Sequence, residues 1–233
     1  MINKVLIIGG SGGIGVEIIK TLLSSNHFVI NLDIKSVSFS SSNYDEFICD
    51  LTQVNIEKTF YEVIKKHNYI DAFISAIGYY GVKKIEEFST EEYYKTLNIN
   101  LNIPTFFTIK AIREMQQLGR GKIILLSSAA AYVGSRDIPY SISKSALSGL
   151  IRGVCNNLKN ANIYVYGIAP GIVETNMSDN MDFSRQKDTI DRTINKRKCQ
   201  PTEIANLVKF LLEEEKGYMN GSIIHINNGL YFN

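Results

Sequence analysis

The sequence predicts an α/β domain in which helices cover both faces of a doubly wound parallel sheet of about seven strands. Short apolar runs recur along the chain, the first being Lys4–Ile8 (KVLII), and such runs are typical of strands buried on both faces. Segments with helical periodicity separate these runs. A length of 233 residues suits one large domain, so we expect residues 1–233 to fold as a single unit.

The first apolar run leads into a glycine-rich loop and then into a helix. The glycines at 9, 13 and 15 have the spacing G-x-x-x-G-x-G, and apolar residues recur at helical spacing from Val16 to Leu23. Glycines allow a phosphate to approach the backbone, and a helix N-terminus presents free N–H groups and the positive end of its dipole. The order predicts a phosphate-binding site; the alternative is a flexible turn.

The second predicted strand, Phe28 to Leu32, ends in Asp33, which lies 18 residues beyond Gly15. A carboxylate at this point suits the ribose hydroxyls of a dinucleotide, whereas the alternative is a turn or helix-capping aspartate. A third strand is predicted at 47–49, closing on Asp50, and a helix at 53–66.

A fourth strand, at 70–76, precedes a long helix that is predicted to start at Thr90 and to continue to about residue 118. Pro104 stands four residues after Asn100 and has no N–H to donate to its backbone carbonyl. We therefore expect this carbonyl to be free to hold a water molecule. A simple proline kink is the alternative, and it would leave the same oxygen free.

The fifth strand, at 122–126, leads into Ser127 and Ser128, and Tyr140 and Lys144 follow. Pro139 suits the first turn of a helix, which would place Tyr140 and Lys144 one turn apart on one face. A free tyrosine has a pKa near 10, and a nearby ammonium would lower that pKa. An ordinary surface helix, continuing to about Lys159, is the alternative for this spacing alone.

The rest of the chain completes the alternation of strand and helix. A sixth strand at 163–168 precedes Pro170-Gly171, and a last helix from Pro201 to about Glu214 precedes a seventh strand at 222–226. Residues 176–199 are polar and lack clear periodicity, which indicates a mobile lid over a site.

Composition restricts the class of function. A net charge of +2 gives no general attraction to nucleic acid or to anionic membranes, so neither is an expected partner. The three cysteines are far apart, which indicates free thiols in a reducing compartment, and no metal site is predicted. No apolar run approaches the roughly 20 residues of a membrane span, and the first residues leave no room for a signal peptide. We expect a cytoplasmic protein.

Taken together, the glycine loop, Asn100, Ser128, Tyr140-x-x-x-Lys144 and Pro170-Gly171 resemble the short-chain dehydrogenase/reductase family in order and spacing, over essentially the whole chain. The chain is similar in length to the single-domain members, including the 3-oxoacyl-acyl-carrier-protein reductases. The resemblance implies a Rossmann-type fold and a nicotinamide cofactor.

The family resemblance also implies roles for individual residues. Tyr140 exchanges a proton with the substrate oxygen, Ser128 hydrogen-bonds that oxygen, and Lys144 binds the nicotinamide ribose and lowers the tyrosine pKa. Asn100 holds a water that connects Lys144 to solvent. Besides Tyr140 and Lys144, the residues implied to contact the cofactor are Gly9, Ser11, Gly12, Gly13, Ile14, Gly15, Asp33, Asp50, Leu51, Ala76, Gly78, Pro170, Gly171, Val173 and Thr175.

Three positions depart from the family pattern. The family's Asn-Asn-Ala-Gly after the fourth strand is Ser-Ala-Ile-Gly here, at 75–78. Ile8 stands where a threonine usually precedes the first glycine, and Tyr166 stands where asparagine is usual. None of these positions carries the implied proton transfer.

The expected function is a nicotinamide-dependent oxidoreductase that interconverts a secondary alcohol and a ketone, with Tyr140 as acid and base. An NADPH-dependent 3-oxoacyl-thioester reductase is the runner-up. A rival from another class is a non-catalytic dinucleotide-binding sensor or scaffold, which would have no need of the Asn, Ser, Tyr and Lys set.

Cofactor choice, substrate pocket and oligomeric state follow as further expectations. Asp33 favours NAD, because its charge repels the 2′-phosphate of NADP, although NADP is left open.

The small-molecule substrate is expected to contact residues 176–199 together with Tyr79, Tyr80, Ala130 and Tyr132. A homotetramer or homodimer is expected to pair the helices at about 90–118 and 139–159, through a surplus of apolar residues at Phe106, Phe107, Ile109 and Ile112.

Overall fold

A computed structural model describes residues 3–158, 162–215 and 217–232. Within these ranges seven strands form one parallel sheet in the order β3-β2-β1-β4-β5-β6-β7. Their bounds are β1 (Lys4–Ile8), β2 (Phe28–Asp33), β3 (Tyr44–Ile48), β4 (Ala72–Ser75), β5 (Gly121–Leu126), β6 (Ile163–Pro170) and β7 (Ile223–Ile226). The predicted fold class, a Rossmann-type sheet, is confirmed.

Helices cover both faces of this sheet. They are α1 (Gly13–Ser24), α2 (Ile56–His67), α3 (Thr90–Leu97), α4 (Ile103–Leu118), α5 (Ala130–Val133), α6 (Ile138–Asn157), α7 (Asn176–Asp179), α8 (Phe183–Asp191) and α9 (Pro201–Glu213). Helices α1 and α9 pack against each other on one face, and α2, α4 and α6 pack on the other. No described helix is long and apolar enough to cross a membrane.

The buried strands explain why the apolar runs are continuous. Along β1, Leu6 and Ile8 pack into the core beneath α2, α4 and α6, whereas Val5 and Ile7 pack into the core beneath α1 and α9. Successive side chains of a strand point to opposite faces, so a strand covered on both sides needs an apolar residue at every position.

The sheet order places a crevice at the carboxyl ends of β1 and β4. Strand β1 pairs with β2 on one side and with β4 on the other, with Ile8 opposite both Leu32 and Ser75. The chain leaves β1 and β4 toward opposite faces, and open α/β sheets bind their ligands at such a switch point. The loops that follow Ile8, Ser75 and Leu126 therefore meet at one edge.

The structure corrects the prediction of one continuous helix from Thr90 to residue 118. Helix α3 ends at Leu97, and a π-helical segment, Asn98–Asn102, separates it from α4. Pro104 lies in the first turn of α4, where its missing N–H costs little. Wider π turns of this kind often occur at functional sites, and here one carries Asn100.

The prediction of an irregular segment at 176–199 is wrong in part, because α7 and α8 form there. None of the residues of α8 is buried. A helix that packs no face against a core needs no apolar stripe in its sequence, and such a stripe is the pattern by which a helix is predicted. Smaller differences concern element ends: β3 starts at Tyr44, α2 at Ile56, and α6 ends at Asn157. Lys159, the predicted end of α6, lies outside the described residues.

Candidate active site

Glycine is required at two positions around the turn from β1 into α1, one in the loop and one in the first turn of the helix. Gly9 has φ +79°, a conformation that other residues rarely adopt. A Cβ added at Gly15 would lie 2.4 Å from the carbonyl oxygen of Gly9. The backbone N–H of Gly9 donates to the carbonyl of Leu32 at 3.0 Å, which ties the loop to β2.

Two polar side chains of β2 fix this loop by accepting hydrogen bonds from its backbone. Asn31 is fully buried, and its Oδ1 accepts a hydrogen bond from the N–H of Gly10 at 3.1 Å. Asp33 accepts one from the N–H of Ser11 at 2.9 Å. Sequence reasoning singled out Asp33 but missed Asn31, although an amide inside an otherwise apolar strand is the signal that could have identified it.

The geometry of the loop fits the diphosphate and adenosine parts of a dinucleotide. Gly12 precedes α1 without a side-chain cap, so the first N–H groups of the helix are available to an anion. Asp50, after β3, accepts hydrogen bonds from the hydroxyl and the N–H of Thr52, which lower its carboxyl pKa, and Leu51 beside it is buried. Asp33, at the end of β2, and Asp50, shortly after β3, thus lie at the carboxyl ends of adjacent strands, the edge of the sheet where the glycine loop lies.

Helix α6 positions Tyr140 and Lys144 as predicted. The Asp137 side chain accepts a hydrogen bond from the N–H of Tyr140 at 3.0 Å and caps the helix, and Pro139 lies in the first turn. Lys144 Nζ lies 5.8 Å from the centre of the Tyr140 ring. The two side chains share one helical face.

The Tyr140 and Ser128 side chains both line the cavity wall, and Ser128 lies close enough to act on the pKa of Tyr140. Burial raises that pKa to about 12, and the nearby Ser128 hydroxyl acts in the opposite direction. Lys144 is not among the groups that shift this pKa, so the expected lowering by its ammonium is not seen in this structure. Instead, the ammonium donates to the carbonyl of Leu126 at 2.9 Å, and burial lowers the pKa of Lys144 to about 8.

Asn100 lies within the same buried network. Its Oδ1 accepts a hydrogen bond from the N–H of Tyr79 at 2.7 Å, and its Nδ2 donates to the Tyr79 carbonyl at 2.8 Å. A Cβ at Gly78 would lie 3.9 Å from Lys144 Nζ and 4.0 Å from Asn100 Oδ1. Asn100 therefore fixes the loop after β4 close to Lys144 through its side chain, a contact that the proline argument did not predict.

Asp137 is a site residue that sequence reasoning missed. Its side chain is fully buried and also accepts a hydrogen bond from the N–H of Gly81 at 2.9 Å, so it joins the loop after β4 to the start of α6. Burial raises its carboxyl pKa, against the backbone hydrogen bonds that it accepts. Its position three residues before Tyr140, at the predicted helix start, was the available signal.

These elements enclose a cavity of about 790 Å³ at the carboxyl edge of the sheet. Of the predicted site residues, ten line it: Ile14, Ala76, Gly78, Ser128, Tyr140, Lys144, Pro170, Gly171, Val173 and Thr175. The other predicted site residues do not line the cavity. They belong to the glycine loop and the start of α1, to the ends of β2 and β3, and to the π-helical segment: Gly9, Ser11, Gly12, Gly13, Gly15, Asp33, Asp50, Leu51 and Asn100.

The predicted substrate pocket is correct for Tyr80 and Ala130, which line the cavity. It is wrong for Tyr79 and Tyr132. The Tyr79 hydroxyl donates to Glu92 at 3.0 Å, because Asn100 holds the Tyr79 backbone and directs its side chain toward α3. Tyr132 stacks on Tyr231, with ring centres 5.2 Å apart.

Comparisons with known proteins agree with this geometry. A protein-family profile described as "Enoyl-(Acyl carrier protein) reductase" matches residues 13–231. The chain is 30% identical, over 97% of its length and 96% of the relative, to "3-oxoacyl-[acyl-carrier-protein] reductase FabG" of Buchnera aphidicola subsp. Schizaphis graminum. It is 28% identical, over 97% of its length and 87% of the relative, to human "Dehydrogenase/reductase SDR family member 4".

A solved structure shows the same fold. The short chain dehydrogenase family protein from Francisella tularensis superposes with a TM-score of 0.86 at 27% identity, and 99% of each chain is covered. The structural match covers 99% of the chain and the profile match covers residues 13–231, so the similarity extends over nearly every element described above. The chain belongs to the short-chain dehydrogenase/reductase family and is a nicotinamide-dependent oxidoreductase of alcohol and ketone substrates.

Proposed function

We propose that Tyr140 is the acid and base of this oxidoreductase, assisted by Ser128, Lys144 and Asn100. The observation that carries the proposal is that Tyr140 and Ser128 line the same cavity wall, with Ser128 close enough to the Tyr140 side chain to act on its pKa. A substrate oxygen placed against both hydroxyls can accept a hydrogen bond from Ser128 and exchange a proton with Tyr140. In reduction Tyr140 gives its proton to the ketone oxygen, and in oxidation it takes the alcohol proton.

The cofactor is proposed to lie along the sheet edge, from the glycine loop to Thr175. When bound, the nicotinamide supplies or accepts the hydride. The backbone of Gly12 and Gly13 suits the diphosphate, and Asp33 suits the adenosine ribose and favours NAD. At the other end, Thr175 lines the cavity and packs on the glycine loop, where a Cβ at Gly13 would lie 2.7 Å from its methyl carbon.

Lys144 and Asn100 support Tyr140 rather than contact the substrate. Lys144 is almost fully buried and its ammonium has one described partner, the carbonyl of Leu126, so two of its three donors remain for the nicotinamide ribose. Asn100 orients the loop beside it. A water held by the Asn100 backbone, as the resemblance implies, would connect Lys144 to solvent.

The pH dependence of the two directions tests these roles. Oxidation needs the phenolate of Tyr140, and burial raises its pKa to about 12, so oxidation should accelerate about tenfold per pH unit from pH 6 to 8. Reduction needs the phenol and should stay flat over that range. Above the pKa of Lys144, which burial lowers to about 8, reduction should lose rate as the lysine gives up its charge, and oxidation should level off because that loss offsets the further gain in phenolate.

Steady-state kcat/KM in both directions, measured from pH 5 to 10, checks this expectation. The Lys144→Met variant should lose the break near pH 8 and retain the slope of oxidation. An oxidation rate that does not change between pH 6 and 8 would contradict the assignment of Tyr140 as the base.

A second candidate is a 3-oxoacyl-thioester reductase that uses NADPH. It is favoured by two relatives, the Buchnera aphidicola protein and a 26% identical Mycobacterium tuberculosis protein, which are both named 3-oxoacyl-[acyl-carrier-protein] reductases. Asp33 argues against it through cofactor choice. Turnover of a 3-oxoacyl thioester with NADPH, faster than any simple ketone with NADH, would move this candidate into first place.

We propose that residues 1–233 form one functional unit, with residues 176–199 as the substrate lid. Met177, Met181 and Arg185 from this segment line the cavity, which supports a lid role for α7 and α8.

The three cysteines are free, consistent with the cytoplasmic location that the sequence predicts.

Oligomerisation is the next prediction. Phe107 is buried in the chain's own core, but Phe106 on α4 and Ile142 on α6 are about half exposed, and Ile109 and Ile138 nearly as much. Two helices on one face of the sheet thus carry apolar side chains that are partly exposed to solvent. We expect these helices to pair with those of a second copy, giving a homodimer or, with a further contact, a homotetramer.

Sedimentation at micromolar concentration checks the assembly. The wild type should sediment as two or four copies of the 26.2 kDa chain, and Phe106→Asp should shift it toward the monomer. Tyr61→Asp, at an exposed tyrosine on α2, is the matched control and should leave the assembly intact. A wild type that sediments only as a monomer would refute the prediction.

A further inference from the structure

The cavity beside Tyr140 carries an excess of positive charge. Among its described lining residues, Arg136, Lys144, Arg185 and Arg192 are basic and Asp188 alone is acidic. The three arginines come from two separate segments, the loop before α6 and the lid. A concave site lined mainly by one sign of charge attracts ligands of the opposite sign.

Arg185 is held near the reacting tyrosine by two contacts. It extends from α8, and its guanidinium donates to the Ser135 hydroxyl at 2.9 Å. Its Cζ lies 5.6 Å from the centre of the Tyr80 ring, and that ring meets the Tyr140 ring edge-on with centres 4.9 Å apart. The Tyr80 ring therefore contacts both the guanidinium of Arg185 and the ring of Tyr140.

Within the described ranges, no carboxylate forms an ion pair with Arg185. Asp188 lies one turn further along α8 and does not pair with it. Asp137 is close enough for Arg185 to lower its carboxyl pKa, but its oxygens are occupied by the N–H groups of Tyr140 and Gly81. A guanidinium has five donors in a planar fork, so Arg185 retains donors for a planar or tetrahedral anion.

We propose that Arg185 binds an anionic group of the substrate, a carboxylate or a phosphate, held a few bonds from the carbonyl that Tyr140 serves. This inference rests on the proposed function and narrows its substrate class to oxo acids and phosphorylated ketones, with the corresponding hydroxy compounds. Arg185 is then a specificity-determining residue, because a guanidinium clamp on the anion fixes the distance of the carbonyl from Tyr140.

Matched pairs of ketones test the proposal. One arm compares oxo acids of increasing chain length with their methyl esters, and the other compares a hydroxyketone phosphate with its parent hydroxyketone. The enzymes are the wild type, Arg185→Met, Arg185→Lys and the control Lys187→Met, which removes an exposed positive charge from the same helix but not from the cavity lining.

The wild type should favour the anionic member of at least one pair by about tenfold or more in kcat/KM. Arg185→Met should abolish this preference, mainly by raising KM for the anion, and change the neutral member by less than about threefold. Arg185→Lys should restore part of the preference, and Lys187→Met should behave as wild type. The arm that responds identifies carboxylate or phosphate.

Two outcomes would overturn the inference. A wild type with no anion preference in either arm excludes an anion-binding role, and an equal loss for both members in Arg185→Met shows that Arg185 only holds α8 against Ser135. In both cases turnover of neutral ketones would leave the proposed function intact.

Binding is measured in parallel, as the Tm shift that each oxo acid or phosphate causes with the reduced cofactor present. If no ketone reacts, the proposed function fails. In that case the Tm shift still tests the anion site. If the anion raises the Tm of Arg185→Met as much as that of the wild type, the anion site is rejected as well; if the shift is lost in Arg185→Met, the anion site is supported.

Discussion

Replacing Tyr140 with Phe should lower kcat by a factor of about 10² to 10⁴ in both directions, the range that general acid–base groups contribute. The change removes one oxygen and keeps the ring, so the edge-on contact with Tyr80 and the packing of α6 should remain. Without the hydroxyl no group at this position can give or take the substrate's proton. KM and the Kd for the cofactor should change little, since Asp33 and the glycine loop lie elsewhere.

A matched control separates this effect from the loss of any tyrosine hydroxyl. Tyr132→Phe also removes one hydroxyl, at a residue that packs on Tyr231 and does not line the cavity. Its kcat should stay within about twofold of wild type. A Tyr140→Phe enzyme that retained more than about a tenth of wild-type kcat would show that another group handles the proton.

The second large effect concerns the cofactor: NAD should be preferred over NADP by about tenfold or more in kcat/KM. Asp33 is fixed at the glycine loop by hydrogen bonds from the N–H groups of Ser11, at 2.9 Å, and Lys35, at 3.2 Å. A ribose hydroxyl can donate to its carboxylate, whereas a 2′-phosphate is repelled. Two like charges about 4 Å apart cost roughly 4 kcal/mol per unit pair at an effective dielectric constant near 20, before salt screening.

Relief of this repulsion would need a cation, and Lys35 is the one basic residue in the adjacent loop. Its side chain is exposed and forms no ion pair with Asp33 in the described structure. Asp33→Ala should therefore weaken NAD and improve NADP, while Lys35→Ala should change the ratio by less than about threefold. Equal or better efficiency of the wild type with NADPH would reverse the cofactor assignment.

The parts of this site that the sequence predicted are those that depend on neighbours along the chain. The spacing of Tyr140 and Lys144 becomes a shared helical face as soon as Pro139 and Asp137 start the helix. Gly9, Gly13 and Gly15 likewise specify a loop between a strand and a helix. Such local rules need no knowledge of the rest of the fold.

The parts that it missed depend on contacts between distant segments. Asn31 and Asp137 reach loops 21 and 56 residues away, at Gly10 and Gly81. The neighbours Tyr79 and Tyr80 diverge because Asn100, from the π-helical segment, holds the Tyr79 backbone. Arg185 lies on α8, a helix without a buried residue, so no apolar pattern placed it over the cavity.

The most direct test of Tyr140-assisted hydride transfer uses a secondary alcohol deuterated at its carbinol carbon, the best substrate from a panel of neutral and anionic alcohols. With NAD, the wild type should place the deuterium in the reduced nicotinamide and release the hydroxyl proton to solvent. Tyr140→Phe should form this labelled product at least about a hundred times more slowly, and Tyr132→Phe at the wild-type rate. A wild type that binds NAD but forms no labelled product from any alcohol, or a Tyr140→Phe enzyme that forms it as fast as wild type, would contradict this mechanism.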